Sequence, residues 1–282
     1  KVLFESGSTY ALRSTVAGAF PLANRTYPNV LVDANTAHVI GTAFTGTASI
    51  DTLTVANGSS LTINHATGTG NGTIMLTGDL VVDGSLAFGT ASAVQYTVMF
   101  TGTSPQIIRG AGTITLPSNL AGVITSSTGG VALARDLAVD CLFSVTNGEF
   151  AIQAHTLQLN GALNVAAPNG LLGGASSRLV FGGSGASTNL PAIELLDLVI
   201  DRAAGISMTG DVLVGGELTL TSGALSIGAN ELTIAGRIQA TNGTLTGGTL
   251  SALEFTGSMA SPLPAVELGT LTMAKSGGVT LT

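Results

Sequence analysis

Along most of the chain, apolar residues alternate with small polar ones in short units. Residues 53–55, 61–63, 74–76, 80–82, 86–88 and 98–100 each read apolar–x–apolar, as do 143–145, 150–152, 157–159, 218–220, 225–227 and 232–234. Alternate side chains of a strand point to opposite faces, so the outer two residues of a unit face a core and the middle one faces out. Asn-Gly, Ser-Gly, Gly-Asp and Gly-Gly steps separate the units, where Gly and Asn accept positive φ cheaply. Helical spacing is scarce. Residues 190–198 come nearest, with Pro191 as a candidate first-turn residue, and an extended entry is preferred there.

The spacing selects the architecture. Unit centres recur every six or seven residues, so three units take roughly twenty residues. Strands this short make poor hairpin meanders. Coiling the chain instead stacks every third strand on its predecessor. The expected fold class is therefore all-β, a right-handed parallel β-helix (β-solenoid) with about three short strands per coil of roughly 20 residues. About 13–15 such coils would use the whole chain. A narrow interior explains why Leu, Val and Ile dominate and why Trp is absent.

A longer repeat overlies the short one. Residues 131–165 align with 206–240 without a gap, at an offset of 75, and 8 of the 35 pairs are identical. Asp136 falls on Asp211, Gly148 on Gly223 and Gly161 on Gly236. An F-x-G-[ST] corner recurs at Phe100, Phe181 and Phe255. The solenoid is expected over 46–282, with modules of about 75 residues, for example 131–205 and 206–279, each about four coils long. Residues 1–45 hold five of the twelve aromatics and read as an N-terminal cap or irregular first coils. The chain opens on Lys1 and closes at Thr282 in mid-module, so a fragment or processed product is expected.

Composition narrows the function. The 45% hydrophobic content excludes disorder, and no apolar run reaches the ~18 residues of a membrane span. The nine Lys and Arg are scattered, so nucleic acid is not an expected partner. A single cysteine, Cys141, rules out an internal disulfide framework. Few charges with abundant Thr, Ser, Gly and Asn favour an extracellular or cell-surface setting.

Candidate chemistry is thin. The acids are dispersed, without the paired carboxylates of glycoside chemistry. Asp79, Asp136 and Asp211 recur in G-D-L, R-D-L and G-D-V corners and are assigned a turn role, with Gly148, Gly223, Gly161 and Gly236 as further corner positions. His38, His65 and His155 lack metal-ligand spacing and are placed at surfaces or corners. Cys141 stands where the next module has Gly216, a tolerated small residue rather than a nucleophile. Thr-x-Thr pairs at 52/54, 113/115, 219/221, 244/246 and 280/282 do not recur at the coil spacing that an ice-binding face needs. Sequons begin at Asn24, Asn57, Asn71 and Asn242, three of them Asn-Gly turns. Tyr10 and Tyr27 are the candidate surface-contact aromatics. No catalytic, cofactor-binding or metal-binding residue is assigned, and no cofactor is expected.

The pattern L-x-[VIL]-x-G-x-L-x-[LV]-x-x-G-x-L-x-[IL]-x-x-x-x-L-x-[LI]-x-G, clearest over 211–236, resembles the Gly/Thr-rich β-helical repeats of large secreted bacterial surface proteins of adhesin or autotransporter-like type, nearest to those of Bacteroidota. The resemblance covers 45–282 and implies architecture, without carrying over any catalytic residue. The resulting expectation is a non-enzymatic extracellular structural protein, a stalk or a subunit of a surface filament or sheath. Its expected partners are copies of itself, end to end or laterally. The alternatives are an adhesin segment that binds glycan or a surface, then a polysaccharide-acting β-helix enzyme or an ice-binding protein.

Overall fold

A computed structural model describes the chain except for residues 1–4, 6, 14–21, 34, 43, 68–70, 90–94 and 167–169, and except for the side chains of 41–42 and 64–67. Every regular element among the described residues is a strand, and the strands pair in parallel. The chain is a parallel β-solenoid of about 12 turns. It divides into two compact units, one of residues 1–150 and 166–169, the other of 151–165 and 170–282.

In the first unit each coil crosses three faces. Strand Gly72–Leu76 stacks on the first half of Gly46–Val55, strand Leu80–Val82 on its second half, and Ser85–Phe88 on Ser60–Thr67. Register lines up inward columns, among them Tyr27–Ile50–Leu76–Phe100–Thr125 and Val30–Leu53–Leu80–Ile108–Leu133. The third face carries His38–Leu61–Leu86–Ile114. Pairing already begins within the aromatic-rich first stretch, where Thr9–Leu12 stacks on residues 29–32.

The second unit repeats the plan with tighter coils. Leu157–Leu179–Leu198–Leu218–Ile238 form one inward column and Val214–Ile234–Phe255 another, on which the exposed Met273 stacks. Leu157, Leu179, Leu198 and Leu218 are fully buried. Each such side chain contributes about 1.5–3 kcal/mol of hydrophobic stabilisation. Residues 188–190 and 193–201 are strands, so the extended reading of 190–198 holds.

Coil length varies around the expected twenty residues, with about 12 turns in all. The twenty-residue coil fits the second unit, where Leu198 stacks on Leu218 and Leu218 on Ile238. In the first unit Thr73 pairs with Thr97, 24 residues on, and Leu80 with Ile108, 28 residues on. Extra corner residues lengthen these coils without disturbing the columns, which is why there are fewer turns than 13–15. The 75-residue module is also not a whole number of coils. Leu157 and Leu232 are equivalent in sequence, yet Leu157 stacks on Leu179 while Leu232 lies between Val212 and Leu253 on a different face. The three faces make the same demand, apolar–x–apolar, so a module can begin on any of them.

Candidate functional site

Several charged and polar side chains in this solenoid bond to backbone groups of neighbouring coils, while others, such as Arg109–Asp79 and Arg237–Glu217, pair with one another. A carboxylate accepts a backbone N–H at or near the start of a strand one coil later. Asp79 Oδ1 accepts the Ile107 N–H at 2.9 Å and Asp83 Oδ1 the Ala111 N–H at 3.1 Å. Asp197 and Asp211 accept the Glu217 and Glu231 N–H groups, both at 2.8 Å. A backbone donor at a bend would otherwise lack a partner, and a charged acceptor makes the stronger bond. Asp79, Asp136 and Asp211 each stand immediately before a strand, Leu80–Val82, Leu137–Val139 and Val212–Val214 respectively. Asp136 lies beside Arg135, whose guanidinium it attracts.

The corner glycines are required by conformation and by space. Gly148 and Gly223 have φ of 72° and 73°. A Cβ at Gly148 would overlap the Ser127 carbonyl, and one at Gly223 the Arg202 carbonyl. Gly161 and Gly236 lie in the bends before Leu163–Val165 and Arg237–Ala240.

The carbonyls of those bends lead to the most distinctive arrangement in the molecule. Arg202 is fully buried and has no carboxylate partner among the described residues. Its guanidinium donates to the carbonyls of Leu159 at 2.6 Å, Gly161 at 2.7 Å, Gly182 at 3.1 Å and Ala186 at 3.3 Å, and sits 5.7 Å from the centre of the Phe181 ring. Leu159, Phe181 and Ile200 are successive members of one column. The arginine, two residues past Ile200, therefore reaches back two coils. Lys275 does the same: it lies two residues past Met273, in the column Ile234–Phe255–Met273. Its Nζ donates to the Gly236 carbonyl at 2.5 Å and sits 5.4 Å from the Phe255 ring centre. Arg135, two residues past Leu133 in the column Leu80–Ile108–Leu133, donates to the carbonyls of Val82 at 3.3 Å and Gly112 at 2.6 Å. Desolvation holds all three cations below their ordinary pKa. Gln106 fills the corner of the first F-x-G-[ST] motif in a related way. Its amide donates to the Leu76 and Gly78 carbonyls at 3.0 and 2.7 Å and accepts the Gly102 N–H at 2.7 Å.

Tyr27 is not a surface aromatic: it heads an inward column at 4% exposure, its ring 5.4 Å from that of the half-buried Tyr10. Burial raises its hydroxyl pKa. His38 is likewise inside rather than at a surface or corner, because it is the inward residue of strand Ala37–Thr42. His155 is half-buried in a bend, and the side chain of His65 lies outside the described residues. The buried Cys141 thiol has its pKa pushed up to about 11, chiefly by desolvation, so it stays protonated and unreactive near neutrality. Asn24, Asn57, Asn71 and Asn242 are all exposed. Thr113 and Thr115 stack on Ser85 and Ala87, and Thr244 and Thr246 on Ala224 and Ser226, so the Thr-x-Thr pairs do not stack on one another.

Among the described residues, no three His, Cys, Asp or Glu side chains come together as a metal site. An apolar void of about 20 Å³ lies in the first unit between Leu76, Phe88, Phe100, Ile108, Val123 and Leu137. It has about the volume a single water needs, and its lining offers no polar partner. No described helix is long and apolar enough to cross a membrane. Compared with known protein families, curated proteins and solved structures, the chain matches none.

Proposed function

We propose that the protein is an extracellular structural element, a stalk or a subunit of a surface filament or sheath, whose work is done by the stacked coils themselves. The carrying observation is the destination of its polar groups. Asp79, Asp83, Asp197 and Asp211 bond to the backbone of the next coil, and Arg135, Arg202 and Lys275 to coils before their own. These seven charged groups are used to hold one coil on another. The extracellular assignment draws on the low charge of the sequence and its abundant Thr, Ser, Gly and Asn. The adhesin reading loses Tyr27, whose ring is in the core.

Self-association, end to end or side by side, is part of this reading. Electron microscopy of the purified protein over a rising concentration series tests it. Ordered fibres or bundles are the expected result. Particles that stay dispersed and separate at the highest concentration overturn it. Antibody labelling of intact cells tests the location, and signal seen only after permeabilisation contradicts a surface position.

A further inference from the structure

The three cations that reach back across coils recur at a regular interval. Arg135, Arg202 and Lys275 are 67 and 73 residues apart, close to the module length, and each stands two residues beyond a residue stacked in a column, Leu133, Ile200 and Met273. Ladder hydrogen bonds join each strand only to its immediate neighbours. A side chain that grips a carbonyl two coils back joins three coils. Arg202 bonds to Gly182 in the preceding coil and to Leu159 and Gly161 in the coil before that. Arg135 bonds to Gly112 and Val82 in the same manner.

We propose that Arg135, Arg202 and Lys275 are tension staples that divide the solenoid into mechanical segments, each of which peels as one event. Under load at the chain ends, coils come off an edge one at a time. An unstapled coil resists through its ladder, its share of the core and side-chain bonds to the adjacent coil only, such as those of Asp79 and Asp211. A stapled coil must also release a desolvated cation from backbone carbonyls and, at Arg202 and Lys275, from the face of a phenylalanine. Once a staple opens, the unstapled coils beyond it give way together until the next staple takes the load. This inference rests on the structural reading above, because a protein that bears no load has no use for it.

Single-molecule force spectroscopy on the full chain, tethered at both ends, tests the proposal. Fully extended residues span about 3.6 Å each, so segments bounded by staples release about 25 nm of contour, against about 7 nm for one 20-residue coil. Force peaks separated by about 25 nm are expected. In Arg202→Met the middle peak disappears and two increments merge into one of about 50 nm. Arg202→Lys, with fewer donors, keeps the peak position at lower force. Lys275→Met, at a less buried staple, removes the outermost peak and serves if Arg202→Met does not fold. Arg178→Met, at an outward strand position, leaves the trace unchanged. Peeling in coil-sized steps, or a middle peak that survives in Arg202→Met, overturns the proposal. A chain that forms fibres yet peels coil by coil defeats the staples alone, whereas a stapled chain that never assembles defeats the structural reading alone.

Discussion

Replacing Thr125 by valine should stabilise the protein. Thr125 belongs to the inward column Tyr27–Ile50–Leu76–Phe100–Thr125, where its neighbour Phe100 presents only carbon to the core. It is fully buried, and its Oγ1 has no hydrogen-bond partner among the described residues. An unpaired buried hydroxyl costs about 1–3 kcal/mol relative to its hydrated state. Thr125→Val exchanges the hydroxyl for a methyl group of similar size and keeps the β-branch that suits a strand. A gain of about 1 kcal/mol or more follows. Ser127, two residues on, is the internal comparison. It is equally buried, but its hydroxyl donates to the Gly102 carbonyl at 2.8 Å, so Ser127→Ala should cost about 1 kcal/mol. Urea titration with an unchanged slope reads both effects as opposite shifts of the midpoint. Hydrogen exchange over 122–127 shows whether the change is local, since stacked repeats can open in parts. Valine less stable than threonine, or the two substitutions shifting the midpoint in the same direction, would refute the reasoning.

Three further outcomes follow from the corners and the core. Gly148→Ala and Gly223→Ala should each lose about 1–2 kcal/mol from the left-handed backbone, and more from overlap with a carbonyl, whereas Gly248→Ala, with open space around it, should be near neutral in thermal melts. Asp211→Ala leaves the Glu231 N–H without its acceptor and should cost about 1 kcal/mol, while Asp211→Asn retains an acceptor and should recover most of it in the same assay. Cys141 should resist maleimide at pH 8 until the protein is denatured. Its folded pKa of about 11 lies above the ordinary 9.0, so the unfolded thiol ionises first. Its contribution to stability is therefore complete below pH 9 and lost as pH rises through 11, a decline that Cys141→Ala should lack.

The fold was legible because its main determinant is local and repeated. Three residues such as Leu157–Gln158–Leu159 state which side chains face inward, and the spacing of such triplets states that the chain coils. Interactions between coils were less legible. The carbonyls that hold Arg202 lie 16 to 43 residues away, so no local pattern predicts them. A faint signal does exist: residues 131–135, 198–202 and 271–275 share apolar–x–apolar–x–cation, a motif without meaning until stacking shows what lies two coils back. Tyr27 and His38 were misplaced because polar atoms suggested the surface, whereas strand alternation puts both inside. The sequence places Asp79, Asp136 and Asp211 just ahead of strands, but the acceptor role toward the following coil, as at Asp79 and Ile107, appears only in three dimensions.

Because the sequence module and the helical pitch are incommensurate, a trait carried once per module cannot recur along a single side. Equivalent positions such as Leu157 and Leu232 belong to different walls, and whatever neighbours them on the outside rotates with them. Duplicating such a module therefore yields a spiral of features rather than a stripe, and any lateral partner it recruits is met from several directions around the circumference.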